Sequence, residues 1–183
     1  MTKINVPTRE QVDTKAQSIF DVLQKNLGMV PNLYATIAYS SDTLEAYLSY
    51  SGAIGNSSFS KKETEAIKLA VSQENECEYC TAAHTAIAKM NGFTEEETIS
   101  IRSGKVADLK LNVLVNTAIE TARERGRLSD ETKEAFFAQG FDNKALIDLI
   151  AVVNVVSFTN FIHNATKVEV DFPAVPALNK QVA

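Results

Sequence analysis

Both cysteines and one of the two histidines of this 183-residue chain fall within one short run, Cys77-Glu78-Tyr79-Cys80-Thr81-Ala82-Ala83-His84. Positions three and four apart share a helix face, so Cys77, Cys80 and His84 form one stripe if the run is helical. Cys77 sits at or just before the first turn, where unpaired N–H groups and the positive end of the helix dipole favour a thiolate. A free cysteine of pKa near 8.5 is only about 3% ionised at pH 7. In Cys-x-x-Cys motifs at helix starts the pKa commonly falls to between about 3.5 and 7.5. Such a pair can close a disulfide once one thiol is oxidised, and an adjacent imidazole can accept and donate the protons.

Other uses of the same residues stay open at this point. Cys-x-x-Cys supplies two zinc ligands, with His84 or Glu65 as further candidates. A structural zinc site wants four good donors, and the remaining one, His163, is far away in sequence. The flanks also lack a glycine-rich knuckle. A buried, inert thiol pair is the other alternative to a redox pair.

The elements that must position these residues are helical. Thr8 is expected to cap a first helix that carries Val12, Ala16, Ile19, Phe20 and Leu23 and stops near Gly28. A short helix follows from about Asn32 to Tyr39, then one capped by Ser41 or Asp42 and running toward Gly55. Ser60-Lys61-Lys62-Glu63 is a capping box, and its helix loses pattern at Gln73 to Glu76. The cysteine helix runs from about Cys77 to Met90, and Asn91-Gly92 ends it. Thr94 to Glu97 is a second capping box, whose acidic residues suit a helix start. Asp108, Ser129 or Asp130, and Asn143 open three more helices, the last reaching about Thr166. The tail with Pro173 and Pro176 is expected to be extended. The expectation is therefore an all-α single domain over residues 1–183. Its motif-bearing core spans about 41–104, with N-terminal helices over 8–39, C-terminal helices over 108–166 and an extended tail over 167–183.

A turn near Asn75 makes the Ser60 helix and the cysteine helix an antiparallel hairpin. Residues equidistant from the turn then face each other, and this pairs Glu65 with His84. A carboxylate there would orient the imidazole and raise its basicity. Glu63 and Glu74 are also available.

The pattern Glu65, eleven residues, Cys77-x-x-Cys80, three residues, His84 resembles the active-site motif of AhpD-like alkylhydroperoxidases, in the carboxymuconolactone decarboxylase superfamily. The likeness centres on residues 44–92 and extends loosely to Val30-Pro31-Asn32-Leu33 and to the helix from Asn143. It implies an all-α, AhpD-like helical bundle and a homo-oligomer. It implies Cys80 as the attacking thiol, Cys77 as the resolving thiol, and Glu65 with His84 as a proton relay, direct or through a water. A hydroperoxide or disulfide would be the substrate, and an unidentified dithiol the reductant. AhpD has a histidine directly before its second cysteine; here Tyr79 takes that place, as a hydrogen-bonding or packing residue. The decarboxylase branch lacks the cysteine pair, which favours the redox branch. A structural zinc protein, or a non-catalytic partner-binding scaffold of the same fold, are the alternatives.

Composition bounds these readings. Hydrophobic residues make up 45%, with 7 Gly and 4 Pro, which argues against disorder and against a turn-rich sandwich. Area scaling gives roughly 8,700 Å² folded against about 29,000 Å² unfolded, so about 70% of the surface can be buried without a disulfide or metal. A net charge of −5 gives no electrostatic reason to bind nucleic acid. No flavin, haem or nucleotide motif is present, so no cofactor is expected, nor a resident metal in the redox reading. The N-terminus carries no signal pattern. The apolar stretch Leu146 to Ile162 is interrupted by Asp148, Asn154 and Asn160, short of the unbroken run of a spanning helix. A cytoplasmic protein without a membrane segment is expected. His163, and the set Phe136, Phe137, Phe141, Phe158 and Phe161, read as core or interface.

Overall fold

The structure, a computed structural model, describes residues 4–178. Its described residues form one 3-10 turn, Arg9–Gln11, and nine α-helices, with no strand. These are α1 (Thr14–Leu27), α2 (Asn32–Ile37), α3 (Ser41–Ile54), α4 (Lys61–Glu74), α5 (Glu78–Met90), α6 (Glu95–Arg102), α7 (Leu109–Arg123), α8 (Asp130–Ala138) and α9 (Asn143–Thr166). The fold is all-α, as the periodicity requires.

The helix starts follow their caps. Ser60 and Thr94 both close the capping boxes read from sequence, each with the glutamate three residues on. Two boundaries differ from expectation. Thr8 opens only the 3-10 turn, because extended Val12 interrupts the helix; Asp13 caps α1 through Ala16 N and also accepts from the Ser41 hydroxyl at 2.6 Å. Ser40, rather than Ser41 or Asp42, caps α3, which shortens α2. Asp142 caps α9.

The helix α4 is the hub, packed on α5, α6, α7 and α9. Its inward residues feed two apolar clusters. Ile67 and Val71 meet Leu114, Phe136, Leu149 and Val152 from α7, α8 and α9. Ala66, Leu69 and Ala70 meet Ala88, Phe93, Ile101 and Val115. A third cluster joins Ala16, Phe20, Leu33 and Leu44 to Cys77, Tyr79, Cys80 and Val168. The thiols thus sit in apolar packing rather than on a loop.

The helix α9 is long and apolar enough to cross a membrane by length and composition alone, even with Asp148, Asn154 and Asn160 in it. Its inner face, including Leu149, Val152, Val153, Val155 and Val156, is nevertheless core. Residues 167–178 form no regular element; the rest of the expected tail, 179–183, lies outside the described residues. The protein exposes 10200 Å², above the roughly 8,700 Å² expected for a compact chain of this mass.

Candidate functional site

The turn between α4 and α5 contains almost no loop. Asn75 caps α4, and Glu76 takes the left-handed backbone region with φ 51°. The Glu76 N–H donates to Gln73 O at 3.1 Å and the Cys77 N–H to Ser72 O at 2.9 Å. This is the paired closure that usually has glycine at the left-handed position. Cys77, which completes it, is also the N-cap of α5, its Sγ accepting from Cys80 N at 3.3 Å. One residue therefore ends one helix and starts the next, which fixes where both thiols point.

Cys77 and Cys80 are free thiols, 0% and 2% exposed, and approach to 3.1 Å. At that distance they share a proton, and the two sites are not equivalent. The hydrogen bond from Cys77 holds the Cys80 thiol below its ordinary value, against burial, with help from His84, Asn160 and Thr159. The same bond, together with burial, pushes the Cys77 thiol far up. Cys80 is the more readily ionised thiol of the pair.

Two residues of α9 complete this pocket. The Cys80 thiol lies 3.7 Å from Thr159 Oγ1. Asn160 is fully buried; its amide donates to Ser72 Oγ at 3.2 Å and accepts from Asn75 Nδ2 at 2.8 Å. It spans the α4 end and the thiols at once.

Glu65 and His84 meet across the hairpin, with Glu65 Oε2 2.8 Å from His84 Nδ1. The other carboxylate oxygen accepts from Lys68 Nζ at 2.9 Å. Burial pushes the Glu65 carboxyl up, but the charge and hydrogen bond of His84 and then Lys68 outweigh it, and the pKa falls to about 2. The rival glutamates are used elsewhere: Glu63 in the Ser60 capping box, Glu74 in a two-pronged pair with Arg123. Tyr34 and Tyr47 stand on the remaining side, ring centroids 5.6 Å apart, with Phe158 stacked on Tyr47 at 5.5 Å. Burial raises the pKa of both phenols.

Tyr79, between the cysteines, turns away from the thiols. Its hydroxyl donates to Asp171 Oδ1 at 2.5 Å and accepts from Leu33 N at 3.2 Å. His163 packs on the Tyr79 ring at 5.5 Å and lies outside the Cys–His–Glu group. Among the described residues no three His, Cys, Asp or Glu side chains converge as a metal site.

Lys68, Thr159, Asn160, Tyr34 and Tyr47 were not singled out from sequence as site residues. Lys68 carried a signal, being three residues after Glu65 on the same face. Asn160 did too, as an amide within an otherwise apolar helix face. Nothing in the sequence marked the two tyrosines.

Residues 41–124 match the model of the Carboxymuconolactone decarboxylase family. No curated protein matches the chain. Among solved structures, it is similar to an uncharacterized peroxidase-related protein from Silicibacter sp. TM1040, with 25% identity and a TM-score of 0.81 over 92% of this chain and 91% of that one. A second, described as alkylhydroperoxidase AhpD core and from Ralstonia eutropha JMP134, has 21% identity and a TM-score of 0.83 over 92% of each chain. The debrominase Bmp8 in complex with 2,3,4-tribromopyrrole shares the fold at 16% identity and a TM-score of 0.78, over 93% of this chain and 92% of that one. Helix order, the Glu–Cys–Cys–His spacing and the family match agree: residues 41–124, which hold the site, match the Carboxymuconolactone decarboxylase family, and the chain has the AhpD-like all-α fold.

Proposed function

We propose that the protein is a thiol-dependent peroxidase in which Cys80 attacks and Cys77 resolves. The observation that carries this reading is the asymmetry of the pair. Cys77, His84, Asn160 and Thr159 favour ionisation of Cys80, while the Cys77–Cys80 hydrogen bond and burial keep the Cys77 proton on. A nucleophile and a proton-bearing resolving group 3.1 Å apart are what a two-thiol cycle needs.

The Cys80 thiolate attacks the terminal oxygen of a hydroperoxide, and the O–O bond breaks. Cys80 becomes a sulfenic acid, and the alkoxide leaves as an alcohol after taking a proton. The imidazole of His84 delivers that proton, with the Glu65 carboxylate holding the ring by its Nδ1. Cys77 then attacks the sulfenic sulfur, giving a disulfide and water. A dithiol donor restores both thiols by exchange. The peroxidase-related descriptions of two similar structures support the same reaction class.

The test is hydroperoxide consumption with excess dithiol, comparing wild type with Cys80→Ser. A loss of at least about 100-fold is expected, and equal rates overturn the assignment. In Cys77→Ser, sulfenic acid should accumulate at Cys80 and react with dimedone.

A further inference from the structure

Away from the thiols the chain has a polar cavity of about 680 Å³. It lies where the C-terminal ends of α4, α6 and α7 meet the start of α8, and neither cysteine nor His84 lines it. Its charged residues are Glu74, Arg102, Glu120, Arg123 and Glu124. Most of these are already matched. Arg123 grips both oxygens of Glu74, at 2.8 and 2.9 Å. Glu120 accepts from the Ser129 N–H at 2.7 Å with one oxygen and from the Thr132 hydroxyl with the other.

Two charges of opposite sign are left over. Arg102 is 6% exposed and has no ion pair among the described residues. Its Nε donates to Gln73 Oε1 at 2.9 Å, whereas its buried Nη1 has no partner. A guanidinium does not lose its charge in a protein, and burying a charge is costly unless it is paired. An anion in the cavity would supply the missing partner. The second charge is Glu124, exposed at the end of α7, whose carboxylate makes no hydrogen bond or ion pair among the described residues. Asn116, Glu120 and Glu124 follow one another at spacings of four, which places them on one face of α7. The Asn116 amide donates to Gly104 O at 3.0 Å and to Asn112 O at 2.9 Å, and its Oδ1 is left as an acceptor. The end of α6 thus offers donors for an anion, and α7 a row of acceptors for a cation. A plain anion would satisfy Arg102 but meet the carboxylates of α7. A plain cation would meet Arg102.

We propose that this cavity binds a small zwitterion of the α-amino-acid class. Its carboxylate sits on the Arg102 guanidinium and its ammonium on the Asn116–Glu120–Glu124 face. A guanidinium matches a carboxylate through two parallel hydrogen bonds. The volume falls within the range of about 300–1,000 Å³ usual for small-molecule sites. The proposal does not depend on the peroxidase reading, because no residue of the thiol group takes part.

The experiment is isothermal titration of the full chain with L-serine, L-glutamine and L-histidine in turn. Acetate and methylamine are the single-charge controls. At least one amino acid should bind saturably, about tenfold or more tighter than either control. Arg102→Met should weaken that binding by about 10–100-fold, with circular dichroism showing that the variant is folded. Glu124→Gln changes an exposed side chain and keeps the test open if Arg102→Met does not fold. It should weaken the amino acid by about two- to fivefold and leave the N-acetylated form, which lacks the ammonium, unaffected. No saturation by any of the three amino acids below about 10 mM overturns the proposal. So does acetate binding as tightly as they do, and so does amino-acid binding that both substitutions leave unchanged.

Discussion

The hydroxyl of Tyr79 lies 2.5 Å from Asp171 Oδ1, joining the residue between the two cysteines to the segment that follows α9. Asp171 uses its other oxygen to accept from the Asn32 N–H at 2.8 Å, and Phe172 packs edge-on against the Tyr79 ring. One side chain thus ties α5, α2 and the C-terminal segment together. The site position at which AhpD has a histidine is used here for anchoring.

Tyr79→Phe should therefore weaken the fold without removing the thiolate. It leaves the Leu33 N–H and the Asp171 carboxylate without their partner in a buried place. A loss of about 1–3 kcal/mol is expected, read from urea unfolding. The peroxidase rate at a temperature where both proteins are folded should change less than threefold. A large rate loss with unchanged stability would make Tyr79 a participant in the chemistry.

Much of this arrangement could be read from the sequence, for a physical reason. Caps, capping boxes and three–four spacing are local, so Ser60, Thr94, the cysteine helix and the Glu65–His84 pairing across a short turn follow from neighbouring residues. Contacts between distant elements are not written locally. Thr159 and Asn160 reach the thiols from α9 only because α4 packs on both α5 and α9, and no spacing rule encodes that. The Tyr79–Asp171 bond spans 92 positions. The break at Val12 was missed because its spacing suits a helix; Asp13, held by the Ser41 hydroxyl, wins as the cap.

Acid should unfold the protein partly through Glu65. Its folded pKa lies at about 2, below the unfolded value of 4.5. The stabilisation is thus fully present above 4.5 and is lost as pH falls toward 2. The difference corresponds to about 3 kcal/mol for this largely buried group. Glu65→Gln should be less stable than wild type at pH 7, and the gap should narrow steadily below pH 4.5. A gap that is the same at pH 7 and pH 3 would contradict the buried ion pair.

Removing Cys77 should raise the pKa of Cys80. The Cys77 hydrogen bond is the largest influence lowering it, ahead of His84. In Cys77→Ala the thiolate absorbance of Cys80 should appear at higher pH than in Cys77→Ser, whose hydroxyl can still donate. Identical titrations for the two variants would show that the helix start and His84 suffice.

The left-handed backbone at Glu76 should discriminate between substitutions that remove the same side chain. Glycine adopts φ 51° without strain, whereas valine clashes at Cβ. Glu76→Val should be less stable than Glu76→Gly by about 1–2 kcal/mol. Because Cys77 follows immediately and completes the helix closure, the valine variant should also slow Cys80 oxidation. Equal stability of the two would mean that the turn rearranges freely.

Asn160 offers the sharpest test of how α9 serves the thiols. Its amide joins Ser72 and Asn75 at the end of α4, and it lowers the pKa of both cysteines. Asn160→Ala removes these bonds and leaves buried polar groups unpaired, costing about 2–3 kcal/mol. It also withdraws a donor from the Cys80 thiolate, so thiolate formation should move to higher pH. Asn160→Asp separates the two roles. It keeps the shape and the Asn75 bond but puts a carboxylate beside the thiols, which should raise the Cys80 pKa further than alanine does. If alanine and aspartate destabilise the fold yet leave the thiolate titration where it was, Asn160 is a structural bridge only. If the titration moves in the order wild type, alanine, aspartate, the polar interruption in the longest apolar helix is part of how this site holds its thiolate.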